Sequence, residues 1–97
     1  MIVEIVTARI KSGMVQDFPS AFLRARQCFA ENPHCLSFRL LRGVERPDTF
    51  VFWVEWNSVE GHMTDFRNSS SYSRFREILR PFYEHAHMEH FGVADLT

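Results

Sequence analysis

The sequence predicts an α+β fold in which a four-stranded antiparallel sheet carries two helices on one face. Three observations predict it. Four segments rich in β-branched and aromatic residues alternate as strands do, two segments place apolar residues at helical spacing, and their order along the 97 residues is βαββαβ. Domains usually hold roughly 100–200 residues, so residues 1–97 are expected to form a single domain. No repeat, low-complexity stretch or Pro/Gly-rich linker divides them.

Residues 2–10 form the first strand. Ile2, Val6, Ala8 and Ile10 lie on one side and Val3, Ile5, Thr7 and Arg9 on the other, so both faces should meet apolar partners. After the turn at Lys11-Ser12-Gly13, Phe18, Phe22, Ala25 and Phe29 recur at helical spacing, giving a helix to about Glu31. Pro19 fits if Asp17 is the N-cap, because it then occupies the second helical position, where its missing N–H matters little. A start near Met14 would instead require a kink. Asn32-Pro33 ends the helix.

Residues 36–44 and 49–57 are the next two strands, joined antiparallel through the polar turn Glu45-Arg46-Pro47-Asp48. Phe50, Phe52, Val54 and Trp56 alternate with Val51, Trp53 and Glu55, which places this strand in the middle of the sheet. Ser58 can cap a helix through Phe66. Asn68-Ser69-Ser70-Ser71 interrupts it before a second segment with Tyr72, Phe75, Ile78, Leu79 and Phe82 as apolar positions. Arg80-Pro81 stops the helical half, and residues 85–93 supply a short last strand. This split pattern is the ferredoxin-like plait, whose sheet has one bare face. Val3, Ile5, Val51 and Trp53 on that face are too apolar for water, so a homodimer burying sheet against sheet is expected.

Composition excludes several partners. Eleven Lys and Arg against twelve Asp and Glu give a net charge of -1, without the positive field that nucleic acid requires. The longest apolar run covers only residues 50–54, far short of the about 18 of a membrane span, and Glu4 breaks a signal-peptide opening. A cytoplasmic protein is expected, with Cys28 and Cys35 as thiols packed like small apolar groups.

Several segments resemble the antibiotic biosynthesis monooxygenase (ABM) family. They are Lys11-Ser12-Gly13, Asn32-Pro33-His34-Cys35-Leu36-Ser37-Phe38-Arg39, Val54-Glu55-Trp56-Asn57-Ser58-Val59-Glu60, Phe66-Arg67-Asn68-Ser69 and Met88-Glu89-His90-Phe91. The resemblance implies a dimeric α+β barrel on the ferredoxin-like plan. The family includes cofactor-independent oxygenases of aromatic or quinol substrates, heme-degrading enzymes and members with no assigned reaction. Its heme-degrading members use an Asn on the first strand, a Trp late in the second helical region and a His further on. Those positions fall at Val6, Phe66 and Arg76, so the heme-degrading route is not expected.

The resemblance then implies monooxygenation of a small or polycyclic aromatic, phenol or quinol by dioxygen, with no cofactor. An electron-rich phenolate can itself reduce dioxygen, so the protein has only to deprotonate, orient and exclude water. His62 is the candidate base, because in the family a His near this place faces the cavity and its ordinary pKa of about 6.5 suits a phenolic proton. Trp56, Phe66, Tyr72, Phe52 and Phe75 are candidate walls, their alternative role being core packing. Arg39, in a strand between Phe38 and Leu40, is a candidate anchor for an anionic substrate oxygen or an interface ion-pair partner beside Arg9 or Glu55.

His85, His87 and Glu89 share one strand face, as metal ligands would, but nothing elsewhere supplies a further ligand and no metal site is assigned. His90 is expected to secure the last strand by a hydrogen bond. Arg74, Arg76 and Arg80 read as a solvated helix face offset by Glu77. The rival to an enzyme is a non-catalytic ligand-binding or stress-associated dimer of the same fold. A cleft with polar groups converging on His62 favours catalysis; one filled by Phe and Trp favours the rival.

Overall fold

The computed structural model describes residues 1–96. Its elements are β1 (Ile2–Ile10), α1 (Phe18–Ala30), β2 (Cys35–Arg42), β3 (Thr49–Trp56), α2 (Ser70–Leu79) and β4 (Tyr83–Phe91), and the strands pair antiparallel in the order β2-β3-β1-β4. This is the ferredoxin-like arrangement that the alternating strand and helix patterns predict. Both central strands, β1 and β3, are the ones with apolar residues on two faces.

Alternation along the strands sorts the sheet into two surfaces. Ala8, Ile10, Phe50, Phe52, Val54 and Trp56 pack beneath the helices, where Phe18, Ala21, Phe22, Ala25 and Phe29 of α1 and Phe75 and Leu79 of α2 close the core. Rings dominate the packing: Phe18 lies 4.9 Å from Phe50 and Phe29 lies 4.7 Å from Phe75, centroid to centroid. Such pairs contribute about 0.5–1.5 kcal/mol beyond the area they bury. The opposite surface carries Ile5, Trp53 and Arg39 in one cross-strand row, with Val51 in the next, and the Arg39 guanidinium sits 5.1 Å above the Trp53 ring.

Pro19 stands at the second position of α1, with Asp17 as N-cap, and a short 3₁₀ turn at Val15–Asp17 leads in without a kinked helix. The chain after β3 is not one helix. Gly61–Phe66 winds as a π-helical segment, in which Arg67 N–H reaches back to the His62 carbonyl at 3.1 Å, and α2 starts afresh where the Ser69 hydroxyl accepts from Tyr72 N–H. Gly61 is needed there: a Cβ at this position would stand 2.8 Å from both His34 Cβ and Asn57 Oδ1. His34 ties the segment down, its Nε2 lying 2.9 Å from Asp65 Oδ2 and its Nδ1 3.2 Å from Asn57 Oδ1.

The last strand begins at Tyr83 and ends at Phe91, so it starts and stops two residues earlier than the expected 85–93. A 3₁₀ turn at Arg80–Phe82 delivers the chain directly onto β1, where Lys11 N–H donates to the Phe82 carbonyl at 2.9 Å. Cys28 and Cys35 are free thiols. No helix among the described residues is long and apolar enough to cross a membrane.

Candidate active site

Glu4 is the unexpected element of β1. It lies on the same side of the strand as Val6, Ala8 and Ile10, and it is buried to 5% exposure under the helical layer. A lone carboxylate there needs partners, and it has them. Trp56 Nε1–H donates to Glu4 Oε1 at 2.9 Å, and His62 Nε2 stands 3.4 Å from Glu4 Oε2. His62, itself only 3% exposed, contacts His90 on β4 through Nδ1 at 2.7 Å. The Trp56 ring stacks on the imidazole at 4.7 Å, which fixes its plane.

Burial controls the charges. Desolvation pushes Glu4 up to about 7, against the downward pull of the Trp56 hydrogen bond and Arg67. Desolvation, with His90 and Arg67 beside it, pushes His62 down to about 4. Near neutral pH His62 is therefore uncharged, and Glu4 gains and loses a proton in the range where a general base works. With Glu4 ionised, His62 presents Nε2–H to it and accepts from His90 at Nδ1. With Glu4 protonated, the direction of that chain reverses.

Glu4 and His62 open onto a cavity of about 440 Å³ between the sheet and α2. Phe29, Phe52, Phe66, Tyr72, Phe75 and Tyr83 supply flat walls, with Val6, Ala86 and Met88 as the floor of β1 and β4. Arg67, Arg76 and Arg80 complete the lining from the exposed side. One buried acid–imidazole cluster, an aromatic interior and a cationic rim thus occupy one hollow.

Residues 1–78 match the antibiotic biosynthesis monooxygenase family. The chain belongs to this family. A Bacillus subtilis (strain 168) relative, the uncharacterized protein YczJ, is 30% identical over 83 residues, spanning 86% of this chain and 87% of its own. A candidate antibiotic biosynthesis monooxygenase from Bordetella bronchiseptica superposes with a TM-score of 0.91 at 26% identity, over 96% of each chain. SnoaB, a cofactor-independent oxygenase from Streptomyces nogalater solved as a point mutant, superposes with a TM-score of 0.84 over 97% of this chain and 93% of its own. At 17% identity that likeness concerns the fold alone.

Within this ABM chain the structure brings together His62, Phe52, Phe66, Tyr72 and Phe75 as cavity-lining residues. Trp56 is fully buried behind that lining and holds Glu4 and His62 rather than forming a wall. Arg39 does not join them. Strand alternation puts it opposite Trp53 on the far side of the sheet, so it cannot anchor a ligand in this cavity. Within the chain, Arg9 pairs with Asp48 at 3.2 Å and Glu55 accepts from the Ser37 hydroxyl.

The helical arginines divide in a way that spacing alone conceals. Arg74 pairs with Glu31 at 2.7 Å, whereas Arg76 and Arg80 turn to the cavity, so these two are not merely a solvated face. His87 and Glu89 meet at 2.7 Å on the exposed sheet face, and no group of three or more His, Cys, Asp or Glu converges there among the described residues. His90 does secure β4, through His62. Glu4 is the site residue that sequence reasoning missed. Its signal was present, a single carboxylate on the otherwise apolar face of a central strand.

Proposed function

We propose that this protein is a cofactor-independent monooxygenase of a phenolic or quinol-type aromatic substrate. The observation that carries the reading is the Glu4–His62–His90 cluster opening onto an aromatic cavity, because polar groups converge where a purely structural core would have none. The base is the Glu4–His62 pair rather than His62 alone: Glu4 holds or releases the proton near neutral pH, and the neutral imidazole exchanges with it.

The chemistry needs little else. Loss of the phenolic proton to the pair leaves an electron-rich phenolate, which passes one electron to dioxygen; the resulting aryloxyl radical and superoxide join at a ring carbon, and the peroxide takes the proton back from the pair. Elimination of water from that hydroperoxide, with loss of the ring C–H proton, gives a quinone. One oxygen atom enters the substrate, the other leaves as water, and all four electrons come from the substrate. The protein's share is to accept the proton, hold the ring between Phe52, Phe66, Tyr72 and Phe75, and keep bulk water away.

The homodimer belongs to the same reading, with Val3, Ile5, Val51 and Trp53 as its contact row. Oxygen uptake with a panel of mono- and bicyclic hydroquinones, corrected for autoxidation, tests the activity. Turnover by the wild type that falls at least about 100-fold in Glu4→Gln and His62→Ala, both still folded by circular dichroism, is expected. Uptake unchanged in both variants refutes the base. Tight binding of the panel without any uptake returns the protein to a ligand-binding role.

A further inference from the structure

Arg76 and Arg80 lie one helical turn apart at the end of α2 and in the turn that follows, and both line the aromatic cavity and the cleft beside it. Neither has an ion-pair or hydrogen-bond partner for its guanidinium among the described residues. Asp48 contacts Arg9, Asp65 contacts His34, Glu31 contacts Arg74 and Glu89 contacts His87, all of them away from the cavity. Glu77, the acid next to them in sequence, lines the adjoining cleft and not the cavity. Arg67 differs from both, since it donates to the Tyr72 hydroxyl at 3.3 Å and covers the Tyr72 ring at 5.3 Å.

Strand register gives the backbone spacing between the base and the chain that follows Arg80. Glu4 is opposite His90, Ala8 is opposite Ala86, and Ile10 is opposite Tyr83, three residues after Arg80. A strand advances about 3.3 Å per residue, so the Ala8–Ala86 level lies about 13 Å along β1 from Glu4. By backbone position the cavity therefore has an acid–imidazole end, with Arg67 beside it, and an end reached by Arg76 and Arg80, and its floor between them is long enough for a bicyclic arene with an oxygen at each extremity.

We propose that the cavity takes an aromatic carboxylate, its carboxylate held by Arg76 and Arg80 and its hydroxylated ring reaching past Tyr72 and Phe75 to Glu4 and His62. Two unpaired guanidinium forks at a cavity mouth suit a planar carboxylate, which each can engage through paired N–H donors. The single acid in the lining stands at the other end, where Arg67 is already engaged with Tyr72, so orientation follows as well as affinity: a ligand entering reversed would set its carboxylate against Glu4 and meet one arginine in place of two. This specificity rests on the aromatic-substrate reading above but is measured by binding, independently of turnover.

The test compares 6-hydroxy-2-naphthoate with 2-naphthol by calorimetry and fluorescence on the wild type, the double variant Arg76→Gln/Arg80→Gln, and Lys11→Gln, whose lysine lines only the adjoining cleft. The expected result is a preference of at least about tenfold for the carboxylate in the wild type and in Lys11→Gln, collapsing in the double variant while 2-naphthol binding stays the same. Equal affinities, a preference that survives the double variant, or no binding of either probe would overturn it. Oxygen uptake recorded in parallel separates the two ideas. Carboxylate preference without uptake refutes oxidation and supports acid recognition, whereas uptake with equal affinity for both probes does the reverse.

Discussion

Glu4 Oε2 lies 3.4 Å from His62 Nε2, with both side chains nearly excluded from solvent. A fully ionised pair at that depth would gain attraction but lose hydration for two charges. Burial instead moves each group toward its uncharged form, Glu4 up to about 7 and His62 down to about 4. The pair consequently holds one exchangeable proton near neutrality, which is what the proposed base requires.

Opposed pH slopes of stability should follow. Between its ordinary 4.5 and about 7, Glu4 binds more proton in the folded chain than in the unfolded one, so its contribution is complete below 4.5 and is lost as pH rises through about 7. His62 runs the other way: its contribution is complete above its ordinary 6.5 and is lost as pH falls through about 4. In the wild type the two partly cancel between 4.5 and 6.5. Urea midpoints of Glu4→Gln should therefore drop on acidification below 6.5, and those of His62→Gln should drop on raising pH from 4.5 to 7. Each slope has a ceiling of about 1.4 kcal/mol per pH unit. Identical pH profiles for both variants would contradict the assignment.

Trp56→Phe removes the N–H that Glu4 Oε1 accepts, a hydrogen bond between two buried side chains. The orphaned acceptor should cost about 1–3 kcal/mol in urea unfolding. Because that hydrogen bond is what pulls the Glu4 pKa down, losing it should move the rising limb of kcat/KM to higher pH. A loss of stability with an unmoved pH profile would show that Trp56 supports the fold but does not tune the base.

Much of this architecture is written in residue periodicity. The four strands and two helices follow from alternating and helical apolar patterns, and Pro19 locates the start of α1 because only the first turn accommodates it. The walls Phe52, Phe66, Tyr72 and Phe75 were legible for the same reason. Glu4 was not, since a carboxylate in a strand is ordinarily assigned to solvent, and its partners are 52, 58 and 86 positions away at Trp56, His62 and His90. Arg76 and Arg80 escaped because helical spacing says which residues share a face but not that a hollow lies beside it. The π-helical winding at Gly61–Phe66 has no periodic signature of its own; it depends on the close approach of His34 to Gly61.

That approach is itself testable. A methyl group at residue 61 would stand 2.8 Å from His34 Cβ and 2.9 Å from His34 Cγ, next to the residue that carries the imidazole of the site. Gly61→Ala should lower stability by about 1–3 kcal/mol and shift the His62 ring resonances in an NMR spectrum. Gly92→Ala, whose added methyl meets nothing within 4 Å, is the matched control. Equal behaviour of the two variants would mean that the His34 side chain yields and the π-helical segment does not depend on a bare Cα.

The sheet surface away from the helices sets the last expectation. Ile5, Val51 and Trp53, each half-buried, form an apolar centre there, with Val3 already covered within the chain, flanked by Arg39 over the Trp53 ring and by Leu41 and Phe91, each 44% exposed. Such a row is costly in water, and a second copy of the same surface can cover it by two-fold symmetry. A stable interface of this kind buries about 1,200–2,000 Å² in total, and its centre dominates the energy. Trp53→Glu would place a carboxylate at that centre, facing its own copy across the two-fold axis, without touching the cavity. Sedimentation equilibrium at micromolar concentration should then change from dimer to monomer, with the circular dichroism spectrum and probe binding retained if each cavity is built within one chain. A monomeric wild type would remove the interface. A monomeric variant that no longer binds 6-hydroxy-2-naphthoate would instead show that the partner shapes the cavity from behind the sheet.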